Sequence, residues 1–323
     1  MMIKAASPVG YRLHARGALV GLAAGMMMLC AGAPSMAQET APAVVNAAPV
    51  SVGANLNISP KRLTFDRSGK SATVYIFNQG TAPATFDIGL VDRVMSPSGE
   101  IVALSEAATR PELSGPAGKV KSAKAMLLAT PRRATLEPGK GQTIRVRVNP
   151  GAETTMGPGE YRTHLTVTTI PPRDIGLTAD EASKPSSDQL RFTVVSVFGI
   201  SIPVIVRLGP AEVRAAIENP HITYADISPD GVAPAVRTAV ASFDVARLGA
   251  SSLFGNFEVR AKGGKEPIGL ARGVGVYTEI DKRAVQIPLT RAPAPGEQLE
   301  ITFTDDDTSP GRVLAQSAFS ASQ

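Results

Sequence analysis

The chain is built from short runs in which apolar and polar residues alternate, each run closed by a turn. Ser71–Phe77 (SATVYIF), Thr85–Val91 (TFDIGLV), Thr143–Val148 (TIRVRV) and Tyr161–Ile170 (YRTHLTVTTI) all read this way. Successive side chains of an extended strand point to opposite faces, so alternation sets one face on a core and the other in water. Turn chemistry separates the runs at Asp66–Lys70, Asn78–Pro83, Ser96–Gly99 and Glu137–Gly141. In Leu136-Glu137-Pro138-Gly139, Pro presets φ and Gly supplies a positive φ, which predicts a tight turn. Helical periodicity is scarce, and Gly and Pro contribute 30 and 26 of the 323 residues. Short strands at this spacing predict an all-β fold of packed sandwiches.

The rhythm breaks at Leu208-Gly209-Pro210 and resumes in Thr238–Ala246, Phe254–Ala261, Gly273–Thr278, Ala284–Leu289, Gln298–Phe303 and Arg312–Ala318. This predicts a first domain over 52–208 and a smaller β-domain over 209–323. Three segments stand outside the pattern. Residues 38–51 are rich in Ala, Pro and Val and predict a flexible leader. Residues 100–128 predict an inserted loop with a weakly helical patch at Lys121–Leu128, and Asp174–Asp188 predicts a polar loop between two strands.

The first 37 residues have the layout of an export signal. Lys4, Arg12 and Arg16 precede the apolar run Gly17–Gly32, and Ser35-Met36-Ala37 ends it with a cleavage pattern, so the mature chain is expected to begin at Gln38. The apolar run is shorter than the roughly 20 residues that span a bilayer. Cys30, the one cysteine, leaves with this segment, and so do three of the five units of formal net charge. A thiol-free exported chain fits a bacterial periplasm. No polybasic run remains, so nucleic acid is not an expected partner.

A search for catalytic chemistry finds no HExxH, GxSxG, P-loop or cysteine pair. His164 sits mid-strand and reads as a structural or surface residue, whereas His221 follows Pro220 in an expected turn. Asp305-Asp306-Asp307 is consecutive rather than spaced as a cation loop and reads as a solvated hairpin tip. No enzyme, cofactor or metal site is expected.

Two features remain. Leu190–Arg207 is nearly twice an ordinary strand in length, with Phe192, Val194, Ser196, Phe198, Ile200, Ile202, Val204 and Val206 in one row and Val195, Val197 and Ile205 in the other. It is either a central strand buried on both sides or a strand that leaves part of an apolar row exposed. The second arrangement suits strand addition, in which main-chain bonds give affinity and alternate side chains enter a partner's pockets. The other feature is NLNISPKRLTFD (Asn55–Asp66), where the basic pair Lys61-Arg62 interrupts an otherwise strand-like pattern.

RLTFDRSGKSATVYIFN (Arg62–Asn78), ATPRRATLEPGKGQTIRV (Ala129–Val146) and YRTHLTVTTIPP (Tyr161–Pro172), in that order, resemble the periplasmic chaperones of chaperone–usher pilus assembly over residues 52–208. The resemblance implies two immunoglobulin-like sandwiches in a boomerang. It further implies a long strand lent to a pilus subunit, with Phe192, Val194, Ser196, Phe198 and Ile200 as the donor row, and delivery to an outer-membrane usher. Self-association of the free chain is a second way to cover that row. Arg62 falls on the family's carboxylate-anchoring Arg, and an Arg fork suits a subunit's C-terminal carboxylate. Lys61 is expected in solvent. The family's second anchor, a Lys, is replaced here by Pro203. The competing expectation is an exported immunoglobulin-like structural or adhesive protein without chaperone activity.

Overall fold

The computed structural model describes residues 55–66, 69–151, 156–171, 197–228 and 230–321, all within the compact unit Val50–Gln323. The expected signal segment (1–37), leader (38–51) and polar loop Asp174–Asp188 lie outside the described residues. So do Phe192, Val194 and Ser196 of the expected donor row.

The first part of the chain forms β1 (Leu56–Ser59), β2 (Leu63–Phe65), β3 (Ser71–Asn78), β4 (Ala84–Val91), β5 (Arg93–Met95) and β6 (Ile101–Ala103). It continues with β7 (Leu127–Thr130), β8 (Arg133–Leu136), β9 (Gly141–Val148), β10 (Gly159–Ile170) and β11 (Gly199–Leu208). One sheet has the order β1-β3-β9-β7 and the other β2-β11-β10-β4-β8. The division is that of an immunoglobulin sandwich, four strands against a three-strand centre β4-β10-β11 that here gains β2 and β8 at its edges. Two of the places where the chain passes from the first sheet to the second are Ser59-Pro60, between β1 and β2, and Thr130-Pro131, between β7 and β8. Pro has no N–H to give a ladder, so each switch falls where pairing ends. The turn at Glu137–Gly141 has Gly139 at φ 70°, as its sequence requires.

The core between these sheets holds Ile58, Phe65, Val74, Ile76, Phe86, Ile144, Val146, Leu165 and Val204. These are the alternate residues of the strands read from the sequence. Residues 100–128 differ from expectation. Helical turns occur at α1 (Leu104–Ala107) and α2 (Ser114–Lys119), around a small cluster of Val94, Val102, Ala107 and Leu113. Lys121–Leu128 instead carries one 3-10 turn and leads into β7. Its backbone is tied to β10, since Arg162 donates to the Lys121 carbonyl (2.8 Å) and Ala123 to that of Arg162 (3.1 Å). Ala123, Met126 and Leu127 all enter the first core, while Lys124 and Ala125 of the 3-10 turn are exposed.

The second part forms β12 (Ala215–Ile227), β13 (Val236–Arg247), β14 (Leu253–Ala261), β15 (Pro267–Val276), β16 (Lys282–Pro288), β17 (Gln298–Asp305) and β18 (Val313–Ser320). A sheet β12-β13-β16 packs on a sheet β15-β14-β17-β18. Phe257 and Phe303 stack at its centre, ring centroids 4.2 Å apart, with Phe243 tilted against Phe257 at 5.1 Å. Strand β12 has no counterpart among the expected strands. Asn219-Pro220 mimics a turn, but the structure absorbs it as a bulge between Glu218 and His221, with Asn219 at φ 53°. His221 therefore lies in a strand and not in a turn.

Candidate functional site

The register of the five-stranded sheet creates the site. In β11, Ile202, Val204 and Val206 face the first core, so Pro203, Ile205 and Arg207 face the other way. Ile205 is fully buried in the second sandwich's core cluster, and Met95, beyond the end of β4, joins it. One face of the sheet's lower end is thus covered by the second sandwich.

Pairing then fixes which residues share that face. Pro203 opposes His164 and Arg207 opposes Glu160 on β10, and Val204 pairs in parallel with Leu63 on β2. Arg62, one residue before Leu63, falls beside Pro203. The covered face therefore carries a row Arg62, Pro203, His164, and further along the strands Ile205, Arg162, then Arg207, Glu160.

These charges meet partners from the second sandwich. Arg62 Nη2 donates to Asp307 Oδ2 (3.0 Å), and Arg207 Nη2 donates to the same oxygen (2.5 Å). Both Arg62 and Asp307 side chains are only 11% exposed. Arg207 Nε also donates to Glu160 Oε2 (2.9 Å), and the Ser252 N–H reaches that carboxylate. The Arg62 guanidinium lies 4.5 Å over the Phe254 ring. A second group lies alongside: Arg162 grips Glu279 with two bonds (2.7 and 3.0 Å), donates to the Arg93 carbonyl (2.7 Å) and covers the Tyr277 ring at 3.7 Å. The Met95 N–H completes it by donating to Glu279 Oε1 (2.8 Å).

Electrostatics favours anions here. Burial would raise the Asp307 carboxyl, but the Arg62 and Arg207 charges outweigh it and hold the group below its usual value. Burial, reinforced by Arg162, Arg93 and Arg62, drives the His164 imidazole down to about 2 and keeps it neutral. Arg62 Nε and Nη1, Arg93 Nε, Arg162 Nε and both His164 ring nitrogens are buried with no hydrogen-bond partner among the described residues. The junction holds more donors than acceptors.

Arg62 thus lies in the junction, one side of its fork occupied by Asp307. Lys61 is exposed. Asp307 is no solvated hairpin tip, because it closes onto the two arginines. Asp305 is also buried, accepting from Thr308 Oγ1 (2.6 Å) and the Ser309 N–H (2.7 Å). His164 is 1% exposed and is not a surface residue. Of the donor row, Phe198 is 50% exposed while Ile200 is partly buried against the first core. Main-chain bonding between Thr169 and the Phe198 carbonyl (2.8 Å) extends the β10–β11 ladder to that point. The sequence reading missed Glu160, Arg162 and Glu279 as site residues. Glu160 and Arg162 alternate like an ordinary wet face, and Glu279 lies in the turn between β15 and β16, where no spacing marks it.

No protein-family profile and no curated protein sequence matches the chain. Among solved structures, the chain is similar to the E. coli chaperone DraB at 12% identity and a TM-score of 0.41, covering 83% of this chain and 97% of that one. It is similar to the Pseudomonas aeruginosa CupB2 chaperone at 11% identity and a TM-score of 0.37 (82% and 100% covered). The Salmonella enterica SafA pilin–SafB chaperone complex gives 11% identity and 0.37 (82% and 96%). Likeness at this level carries no inference about function.

Proposed function

We propose that the chain is a periplasmic chaperone that holds an incomplete β-subunit of a pilus by lending it a strand, and delivers it to an outer-membrane usher. The observation that carries this reading is the course of one apolar row along β11. Val206, Val204 and Ile202 are buried in the first core, Ile200 is half-covered, and Phe198 emerges 50% exposed. An apolar side chain that emerges at the end of a strand in this way suits a partner's pocket, and strand addition would cover it. At the other end of the same strand lies the arginine-lined junction. There Asp307 illustrates how a carboxylate is taken up by Arg62 and Arg207. A subunit's C-terminal carboxylate bound at Arg62 would set the register of the added strand.

Co-expression with a candidate pilus subunit tests the reading. A soluble complex of one chain and one subunit is expected, reduced by Arg62→Ala and lost in Phe198→Asp while the variant's melting curve stays that of wild type. A subunit equally soluble without the chain would sink the assignment. A Phe198→Asp chain that no longer folds would place Phe198 in the protein's own core.

A further inference from the structure

Between β4 and β7 the chain spends residues 92–126 on a segment outside both sandwiches. Its strands β5 and β6 pair with each other, and Val94, Val102, Ala107 and Leu113 give it a small core of its own. The segment is nevertheless tied to both sandwiches. On the first, the Arg162 N–H donates to the Lys121 carbonyl (2.8 Å) and the Ala123 N–H to the Arg162 carbonyl (3.1 Å). On the second, Met95 enters the core cluster and its N–H donates to Glu279 Oε1 (2.8 Å). The Ala284 N–H on β16 donates to the Pro97 carbonyl (2.8 Å). We propose that residues 92–126 are a brace that fixes the angle between the sandwiches by holding the β4 side of their junction shut.

Three observations support it. The first is position. Ile205 on β11 is a pivot near the middle of the junction, and a pivot alone lets the sandwiches rock. The order β2-β11-β10-β4 sets the brace three strand spacings from the Arg62–Asp307 contact beside β2, roughly 14 Å away. The second is the kind of bond on each side. Beside β2 the grip is between side chains, Arg62 and Arg207 on Asp307, and it can lengthen as an arginine changes rotamer. The brace instead grips the sheet through main chain. Strand β16 pairs with β13 along one edge, Ala284 opposite Asp244, and offers Pro97 the Ala284 N–H on the other. The third is fit. A Cβ on Gly99 would fall 2.3 Å from Arg283 Nε, and that guanidinium is itself held by the Gly275 carbonyl (2.6 Å), so the hairpin tip meets the sheet without slack. The Lys119–Asp281 pair is 57% and 71% exposed and adds little.

Electron–electron distance measurement between two spin labels tests the brace. Cys30→Ser removes the one native cysteine, and Glu137→Cys and Val232→Cys place labels at exposed turns remote from the junction. Leu136, beside Glu137, pairs with Ala84 at the far end of β4, and Val232 caps the far end of β13. In this background Ala284→Pro removes the bond to Pro97 at a strand edge, where proline is tolerated, and Met95→Ala removes the apolar contact. The double variant should broaden the distance distribution about twofold, and Ala284→Pro alone should broaden it in part, because domains without a tight interface move relative to each other. Asp307→Asn, which loosens the β2 side, should keep the wild-type width. Melting curves check that each variant is folded, and Ala284→Pro alone decides if the double variant is not. Wild-type width in Ala284→Pro and in the folded double variant overturns the brace. So does an Asp307→Asn distribution as broad as that of the brace variants, which would assign the angle to the ion pairs instead.

Discussion

His164 links the local chemistry to a measurable property of the fold. Burial lowers its pKa to about 2, and Arg162, Arg93 and Arg62 add to the shift, whereas in the unfolded chain a histidine titrates near 6.5. A group whose folded pKa is depressed contributes no penalty above its unfolded value. As pH falls below about 6.5, the unfolded chain takes up a proton that the folded chain refuses, and stability drops by about 1.4 kcal/mol per unit. His164→Phe removes this loss. Between pH 7.5 and pH 5.0, urea unfolding should show the variant gaining about 2 kcal/mol on wild type. A constant gap would show that the imidazole is charged, or paired, in the folded protein. Asp307 acts in a different window. Its carboxyl is depressed, so its contribution is complete above about pH 4 and is lost only as pH falls further. The pH 5 comparison therefore reads His164 alone of the two.

Among elements, β11 does two jobs at once. Ile202, Val204 and Val206 belong to the first core and Ile205 to the second, so alternate residues of one strand hold two sandwiches. Truncating Ile205 leaves a cavity under the second sandwich. Ile205→Ala should cost about 2–4 kcal/mol and separate the unfolding of the two sandwiches in calorimetry. Ile202→Ala, of equal chemistry, should weaken the first sandwich without that separation. A cost below about 1 kcal/mol for Ile205→Ala would mean that the junction is not held by this strand. The strand also shows how far the sequence was legible. Its apolar character on both faces was visible, because Ile205 interrupts the expected polar row. What covered the second face was not visible, since a partner within the chain and a partner outside it call for the same residues. The expected strands β3, β4, β9, β10, β13, β14 and β17 agree with the structure to within a few residues because each alternates cleanly. Strand β12 escaped notice because its bulge is built from Asn219-Pro220, a pair of residue types that favour turns.

For the whole molecule, the question is what holds two sandwiches as one compact unit, and the answer is largely polar. The alternation of Glu160, Arg162 and His164 against Tyr161, Thr163 and Leu165 was legible, but amphipathic patterning assigns such a polar face to water. Here it meets Glu279, Ser252 and Asp307 of the second sandwich instead. Periodicity cannot separate solvent from a covering set of complementary charges, which is why the site's partners came only from the structure. The inserted hairpin β5–β6 adds to the same junction. Its Pro97 carbonyl accepts from the Ala284 N–H (2.8 Å), and Gly99, at φ 88°, lies so close to the Arg283 guanidinium that any side chain there would collide with it.

The Arg162–Glu279 pair is the strictest test of this polar cement. Its side chains are 5% and 1% exposed, and Glu279 also accepts from the Met95 N–H. Removing one member of such a pair leaves the other charge buried without compensation, at a cost of about 3–5 kcal/mol. Glu279→Gln should therefore destabilise the protein by that order, and the loss should persist in 1 M salt, because buried pairs are screened far less than exposed ones. Replacing both members by apolar residues, Arg162→Met with Glu279→Leu, should recover most of the stability, since a well-packed apolar pair matches a buried ion pair in many folds. If Glu279→Gln costs less than about 1 kcal/mol, water reaches the pair and the junction is held by Ile205 and Met95 instead.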